Sequence, residues 1–179
     1  MATKPIKTRC NGTMTESAWL AWVRSALRSK SLRWPPRGTA LELARKPYKG
    51  TNKLQKWTYT CAICKVGTFK AKEVVVDHFP VAAGCLVSVE DIGEFCNNLF
   101  CETSNLRVLC NPCHDTHTIS TRQGLTFEEA RLIKQAIEIC KKPVKELLAY
   151  LSEHGYSGAT VSNADKRRKA IEEILRKGE

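Results

Sequence analysis

Between Cys61 and His114 the chain holds two sets of residues able to do chemistry. Cys61-Ala62-Ile63-Cys64 and Cys110-Asn111-Pro112-Cys113 are C-x2-C pairs, and four thiolates close a tetrahedral zinc site. The pairs lie far apart in sequence, so a shared ion would tie the two ends of a small fold together. Asp77, His78, Asn105 and His114 form a second polar set that a four-cysteine site does not need. The expected division is structure in the first set and chemistry in the second.

A carboxylate is a hard oxygen ligand suited to Mg²⁺ or a similar divalent ion such as Mn²⁺. A neutral imidazole beside it can take a proton from water near pH 7. His114, on the helix after the second cysteine pair, can supply a second ligand to such an ion. Two protein ligands leave coordination positions for water and phosphate oxygens. Phosphodiester hydrolysis fits this layout, with the metal as Lewis acid and His78 as base.

The elements that must hold these groups give an α+β chain. Trp57-Thr58-Tyr59-Thr60 reads as a short strand entering the first cysteine pair. Val74-Val75-Val76 is strongly β-prone and delivers Asp77-His78 at a strand end. Successive strand residues face opposite sides, so the two can serve different roles. Pro80 stops ladder pairing, and a helix is expected within residues 89–99 of the connection spanning 81–104. Asn105 to Leu109 is the returning strand, and His114 falls on a helix started by the second knuckle.

Helices are expected on both sides. Upstream, residues 1–13 read as disordered. Thr15 caps a helix whose stripe is Trp19, Trp22, Val23, Ala26 and Leu27. Pro35-Pro36 suggests an extended crossing pinned by Trp34, followed by a short helix from Thr39 to about Lys46. Downstream, Thr126-Phe127-Glu128-Glu129 is a capping box. Stripes at Ala130/Ile133/Ala136/Ile137/Cys140, Val144/Leu147/Leu148/Leu151 and Ala170/Ile171/Ile174/Leu175 mark three more helices. His154 is expected at a helix C-terminus. The divisions are a basic helical arm (1–56), a metal-bearing core (57–122) and a helical extension (123–179).

The net charge of +11 is one-sided. Residues 1–60 carry 13 Lys and Arg against Glu16 and Glu42, while residues 61–179 carry 16 of each sign. Such a segment favours a polyanion. Arg24, Arg28, Arg33, Arg37, Arg45, Lys46, Lys49, Lys53 and Lys56 are the candidate contacts to double-stranded DNA. No apolar run is long enough to span a membrane, and no apolar h-region follows the basic N-terminus, so a cytoplasmic protein is expected. The remaining cysteines, Cys10, Cys85, Cys96, Cys101 and Cys140, read as small buried hydrophobes.

The order Cys61-x2-Cys64, Asp77-His78, Pro80, Asn105-Leu106, Leu109-Cys110-x2-Cys113-His114 resembles the HNH endonucleases, over about residues 57–120. The resemblance implies a ββα-metal fold, a structural zinc on the four cysteines, Asp77 and His114 as ligands of the catalytic ion, and His78 as general base. It also implies that Asn105 braces the loop carrying the base. Two departures stand out: the His78-to-Asn105 gap is long for the family, and His117 stands where lysine is expected. Arg28-Ser29-Lys30-Ser31-Leu32-Arg33-Trp34-Pro35-Pro36-Arg37 and Ala164-Asp165-Lys166-Arg167-Arg168 look like flanks of bacteriophage-encoded members, which implies the host cytoplasm and partners in phage packaging or replication. The competing expectation is a non-catalytic zinc module that binds nucleic acid or a protein. A weaker one makes residues 144–177 a separate DNA-binding unit using Lys166, Arg167, Arg168 and Lys169.

Overall fold

The computed structural model describes residues 5–80 and 84–178. In chain order its elements are β1 (Lys7–Arg9), β2 (Met14–Thr15), α1 (Glu16–Ser31), α2 (Pro35–Ala44), β3 (Arg45–Pro47), β4 (Trp57–Tyr59), β5 (Val74–His78), α3 (Ile92–Leu99), β6 (Leu106–Cys110), α4 (Asn111–Gln123), α5 (Phe127–Cys140), α6 (Val144–Glu153) and α7 (Ala164–Lys177). The α+β expectation holds, with three two-stranded antiparallel sheets, β1-β2, β3-β4 and β5-β6. The chain divides into two compact units, residues 1–111 and 112–179.

In the first unit, Val74, Val76 and Val108 pack with Ala40 of α2, flanked by Tyr59, Phe69 and Leu106. β-branched residues at alternate positions of β5 put one face in this core, and the period of two leaves the other face for Val75 and Asp77. A neighbouring cluster joins Leu20 of α1 to Leu86 and to Phe95 and Leu99 of α3. The tryptophan stripe expected on α1 needs correction. Trp19, Val23 and Leu27 pack there, in a row at i, i+4 and i+8, whereas Trp22 is 66% exposed.

The paired prolines also act differently from the expected extended crossing. Pro35 and Pro36 open α2 itself, four residues before Thr39. The first turn of a helix has no use for their missing N–H groups, and proline's fixed φ is already helical. Trp34 is the anchor: its indole N–H donates to Cys101 O at 2.8 Å and its ring meets Phe100 edge-on. The start of the chain is likewise ordered where it is described. β1 pairs with β2, and Arg9 holds Glu16 at 2.6 Å while lying 4.3 Å over the Trp19 ring. Residues 1–4, part of the expected disordered arm, lie outside the described residues, as do 81–83 of the long connection. Cys10 and Cys85 are exposed, not buried, and Cys96, Cys101 and Cys140 are intermediate.

The second unit follows its sequence pattern closely. Thr126 and Glu129 close the capping box reciprocally, at 3.2 Å and 2.9 Å. Ala136, Leu147, Leu151, Val161, Ala170 and Ile171 share one core, in which Ile174, Leu175 and Cys140 are half-buried. Val144 and Leu148 stay exposed. His154 ends α6 and its ring nitrogen Nδ1 lies 2.8 Å from Tyr150 O. On α7, Arg167 donates to Val161 O, Lys166 to Ala159 O and Arg168 to Glu172. Three of the four cations of the postulated C-terminal DNA-binding unit are thus committed within their own unit. Among the described residues no helix is long and apolar enough to cross a membrane.

Candidate metal centre and strand-end polar site

β5 and β6 pair in one unbroken register: Val74 faces Cys110, Val76 faces Val108, Asp77 faces Arg107 and His78 faces Leu106. The hairpin therefore carries cysteine chemistry at one end and Asp77-His78 at the other.

At the cysteine end, Cys61 follows β4, Cys110 closes β6 and Cys113 sits in the first turn of α4. The Sγ atoms of Cys61, Cys64, Cys110 and Cys113 all lie within 4.8 Å of one another, and Cys64 Sγ is 4.0 Å from Cys110 Sγ. A tetrahedral ion with Zn–S bonds of about 2.3 Å places its sulfurs about 3.8 Å apart. All four cysteines are free thiols, and the group can hold a metal such as zinc. The local backbone also favours thiolate. Burial pushes the Cys61 thiol up, but hydrogen bonds from the backbone of Cys110, Cys64 and Ile63 outweigh it and bring it down to about 7. A thiolate is the ligand form, so this lowers the cost of metal entry.

At the other end, His78 Nε2 lies 3.1 Å from Leu99 O. A carbonyl only accepts, so Nε2 carries the proton in this arrangement, which in the neutral ring leaves Nδ1 its lone pair. Leu99 is the last residue of α3 and is 2% exposed, so the carbonyl that orients the ring is held by a buried side chain. Asn105 O accepts from Phe79 N at 2.9 Å, which continues the ladder one residue beyond His78. Asn105 thus ties down the backbone just past the imidazole, and its Oδ1 takes a hydrogen bond from Ser104.

Asp77 has a partner that the sequence pattern does not announce. Arg107 Nε donates to Asp77 Oδ2 at 3.0 Å, and Nη2 lies at the same distance from that oxygen, although poorly aligned for a hydrogen bond. Both side chains are only about 15% exposed, and the guanidinium also covers the Phe79 ring at 4.3 Å. Counting the antiparallel register from Val74 and Cys110 would have paired these two residues. The Leu99 carbonyl is a backbone group, which no side-chain pattern can reveal.

His114 lies in the second unit on α4, 37% exposed, with Nδ1 4.0 Å from Asp115 Oδ1. His117 is half-buried on the same helix. The four cysteines are the one group of three or more Cys, His, Asp or Glu ligands gathered among the described residues. Asp77, His78 and His114 do not make another.

The basic residues fall into two classes. Lys46, Lys49, Lys53 and Lys56 are exposed on and between β3 and β4, and Arg33 is exposed after α1. Others are already engaged. Arg28 donates to Gly84 O, and Arg45 reaches Glu42 at 3.5 Å and lies 4.5 Å over Trp57. Arg24 is half-buried on α1. Arg37 is half-buried at the start of α2, and burial lowers its pKa against the pull of Cys101 and Asp77. Compared with known proteins, the chain matches no protein-family model, no curated sequence and no solved structure.

Proposed function

We propose that the chain is a metal-dependent endonuclease of the HNH type that hydrolyses phosphodiester bonds of double-stranded DNA, and that the four-cysteine group holds a structural zinc. The observation that carries the reading is the state of His78. Its Nε2 proton is committed to the carbonyl that ends α3, so in the neutral imidazole Nδ1 is the acceptor. A general base needs this fixed tautomer and orientation. In the reaction, His78 takes the proton from the water that attacks phosphorus. Asn105 fixes the backbone beyond it. On this reading Asp77 and His114 would hold the divalent ion, which would supply Lewis-acid stabilisation of the charge developing on phosphate. The proposed setting is a phage-infected cell, with packaging or replication proteins as partners.

A second reading, a zinc module without catalysis, draws on the Arg107–Asp77 ion pair. That pair gives Asp77 a structural role, and a guanidinium at 3.0 Å competes with any cation for the same carboxylate oxygen. Calorimetric titration of Mn²⁺ into the zinc-loaded protein separates the two. The nuclease reading expects one further divalent site, weakened about tenfold or more in Asp77→Ala and His114→Ala, in line with the loss of one ligand of a two-ligand site. A titration with no second site favours the zinc module.

DNA binding should be strongly salt-dependent. The exposed Lys46, Lys49, Lys53 and Lys56 each release a counterion if they meet phosphate. Replacing all four with Gln should reduce the slope of log affinity against log salt by about 3 to 4. An unchanged slope moves the docking surface elsewhere.

A further inference from the structure

The β3–β4 hairpin, Arg45 to Tyr59, contains five cations and no carboxylate. Its connection is built, not slack. Tyr48 N donates to Lys56 O at 3.0 Å, Gln55 N to Asn52 O at 3.1 Å, and Leu54 N to the Asn52 side-chain oxygen at 3.1 Å. The Tyr48 ring lies over Gly50, where a Cβ would collide with it. The hydrogen-bonded turn holds Leu54 outward, 93% exposed. A lone exposed leucine is ordinary, but this one forms one wall of an open groove of about 320 Å³. Trp57, Tyr59, Asn52, Gln55, Lys56 and Lys70 line the rest. Trp57 is 38% exposed there, and Arg45 lies 4.5 Å over its ring. Gln55, which lines the groove, donates its side-chain N–H to Trp57 O at 3.3 Å.

We infer that this groove takes one unstacked nucleobase of a DNA strand, with Trp57 as the stacking platform and Leu54 filling the gap that the base leaves. The inference rests on the DNA reading above and adds a preference for unpaired bases. The volume is at the lower end of the range for small-ligand sites, about 300–1,000 Å³, and suits a single base. An aromatic ring flanked by lysines is the usual composition of a single-strand platform, because every nucleotide brings a π-face and a phosphate. Apolar side chains presented at a basic tip are also what enters opened base steps. Asn52 and Gln55 offer amide groups to a base edge, and Lys56 and Lys70 are placed for the adjoining phosphates.

The test uses the full chain in divalent-free buffer, so that no strand is cut. Two duplexes are compared, one fully paired and one carrying a single 2-aminopurine bulge. Affinity is read by anisotropy and base stacking by 2-aminopurine emission. The wild type should prefer the bulge by about tenfold, the scale of one base–aromatic stack, and change its emission. Leu54→Ser, at a position too exposed to affect folding, should reduce the preference at least about threefold. Trp57→Ala should abolish it, and Trp57→Phe should retain most of it. Equal affinity of the wild type for both duplexes overturns the inference while leaving the DNA reading standing, and so does a preference that survives Leu54→Ser undiminished. Failure to bind either duplex removes the DNA reading and this inference together.

Discussion

His78→Ala is expected to remain folded, retain its zinc and bind DNA, and to cleave about 10²–10⁴-fold more slowly than the wild type. The size follows from its role. Without a positioned acceptor the attacking water must lose its proton to bulk solvent in the transition state. The retained fold follows from its position. His78 ends β5, half-buried, and its one described bond is to a carbonyl that water can serve instead. The ladder around it is backbone, held by Phe79 N to Asn105 O and by the β5–β6 pairs. Asp77→Ala is a less clean test of chemistry, since it also strands the Arg107 guanidinium at a site only 16% exposed. A thermal melt must accompany its rates.

Cys110→Ala should fail in the opposite order, with stability lost first and activity as a consequence. Cys110 is 2% exposed, pairs with Val74 across the hairpin and belongs to the four-sulfur group. Structural zinc sites contribute apparent binding energies of about 10–16 kcal/mol, and that energy is folding energy. Losing roughly a quarter of it costs about 2.5–4 kcal/mol, which in a chain of this size lowers Tm by about 10 °C. The wild type should hold one zinc per chain by elemental analysis, and the variant well under one. A Cys110→Ala protein that melts like the wild type, or a folded wild type free of zinc, removes the structural-zinc assignment. The low-lying Cys61 thiol adds a pH direction. Its pKa is depressed in the fold, so the thiolate and the zinc affinity it supports are present above about pH 7 and fall as the pH drops below it.

The two ends of the β5–β6 hairpin were legible for different reasons. Val74-Val75-Val76 is a strand by composition, and Asp77-His78 had to fall at its end because Pro80 follows closely. The cysteine spacing required four sulfurs to converge, and they do. Caps at Thr15 and Thr126 were readable because a side-chain oxygen must satisfy nearby N–H groups. What escaped was set by tertiary choice. Pro35-Pro36 suits either an extended crossing or a first helical turn, and packing of Ala40 on β5 and β6 selects the turn. Trp22 lies three residues after Trp19, yet it is Leu20 with the row Trp19, Val23 and Leu27 that packs in the cluster with α3. Arg107 became a partner of Asp77 only through register, and the imidazole of His78 is oriented by a backbone carbonyl 21 residues away.

The central claim, that the strand-end polar set hydrolyses DNA, is tested most directly by incubating supercoiled plasmid with the zinc-loaded wild type in Mg²⁺, in Mn²⁺ and without added divalent ion. His78→Ala is run beside it. The expected result is nicked or linear products that need the divalent ion and are largely lost in His78→Ala. A folded, zinc-loaded wild type that leaves plasmid and phage genomic DNA intact with both ions, or a His78→Ala protein that cuts at the wild-type rate, would contradict it.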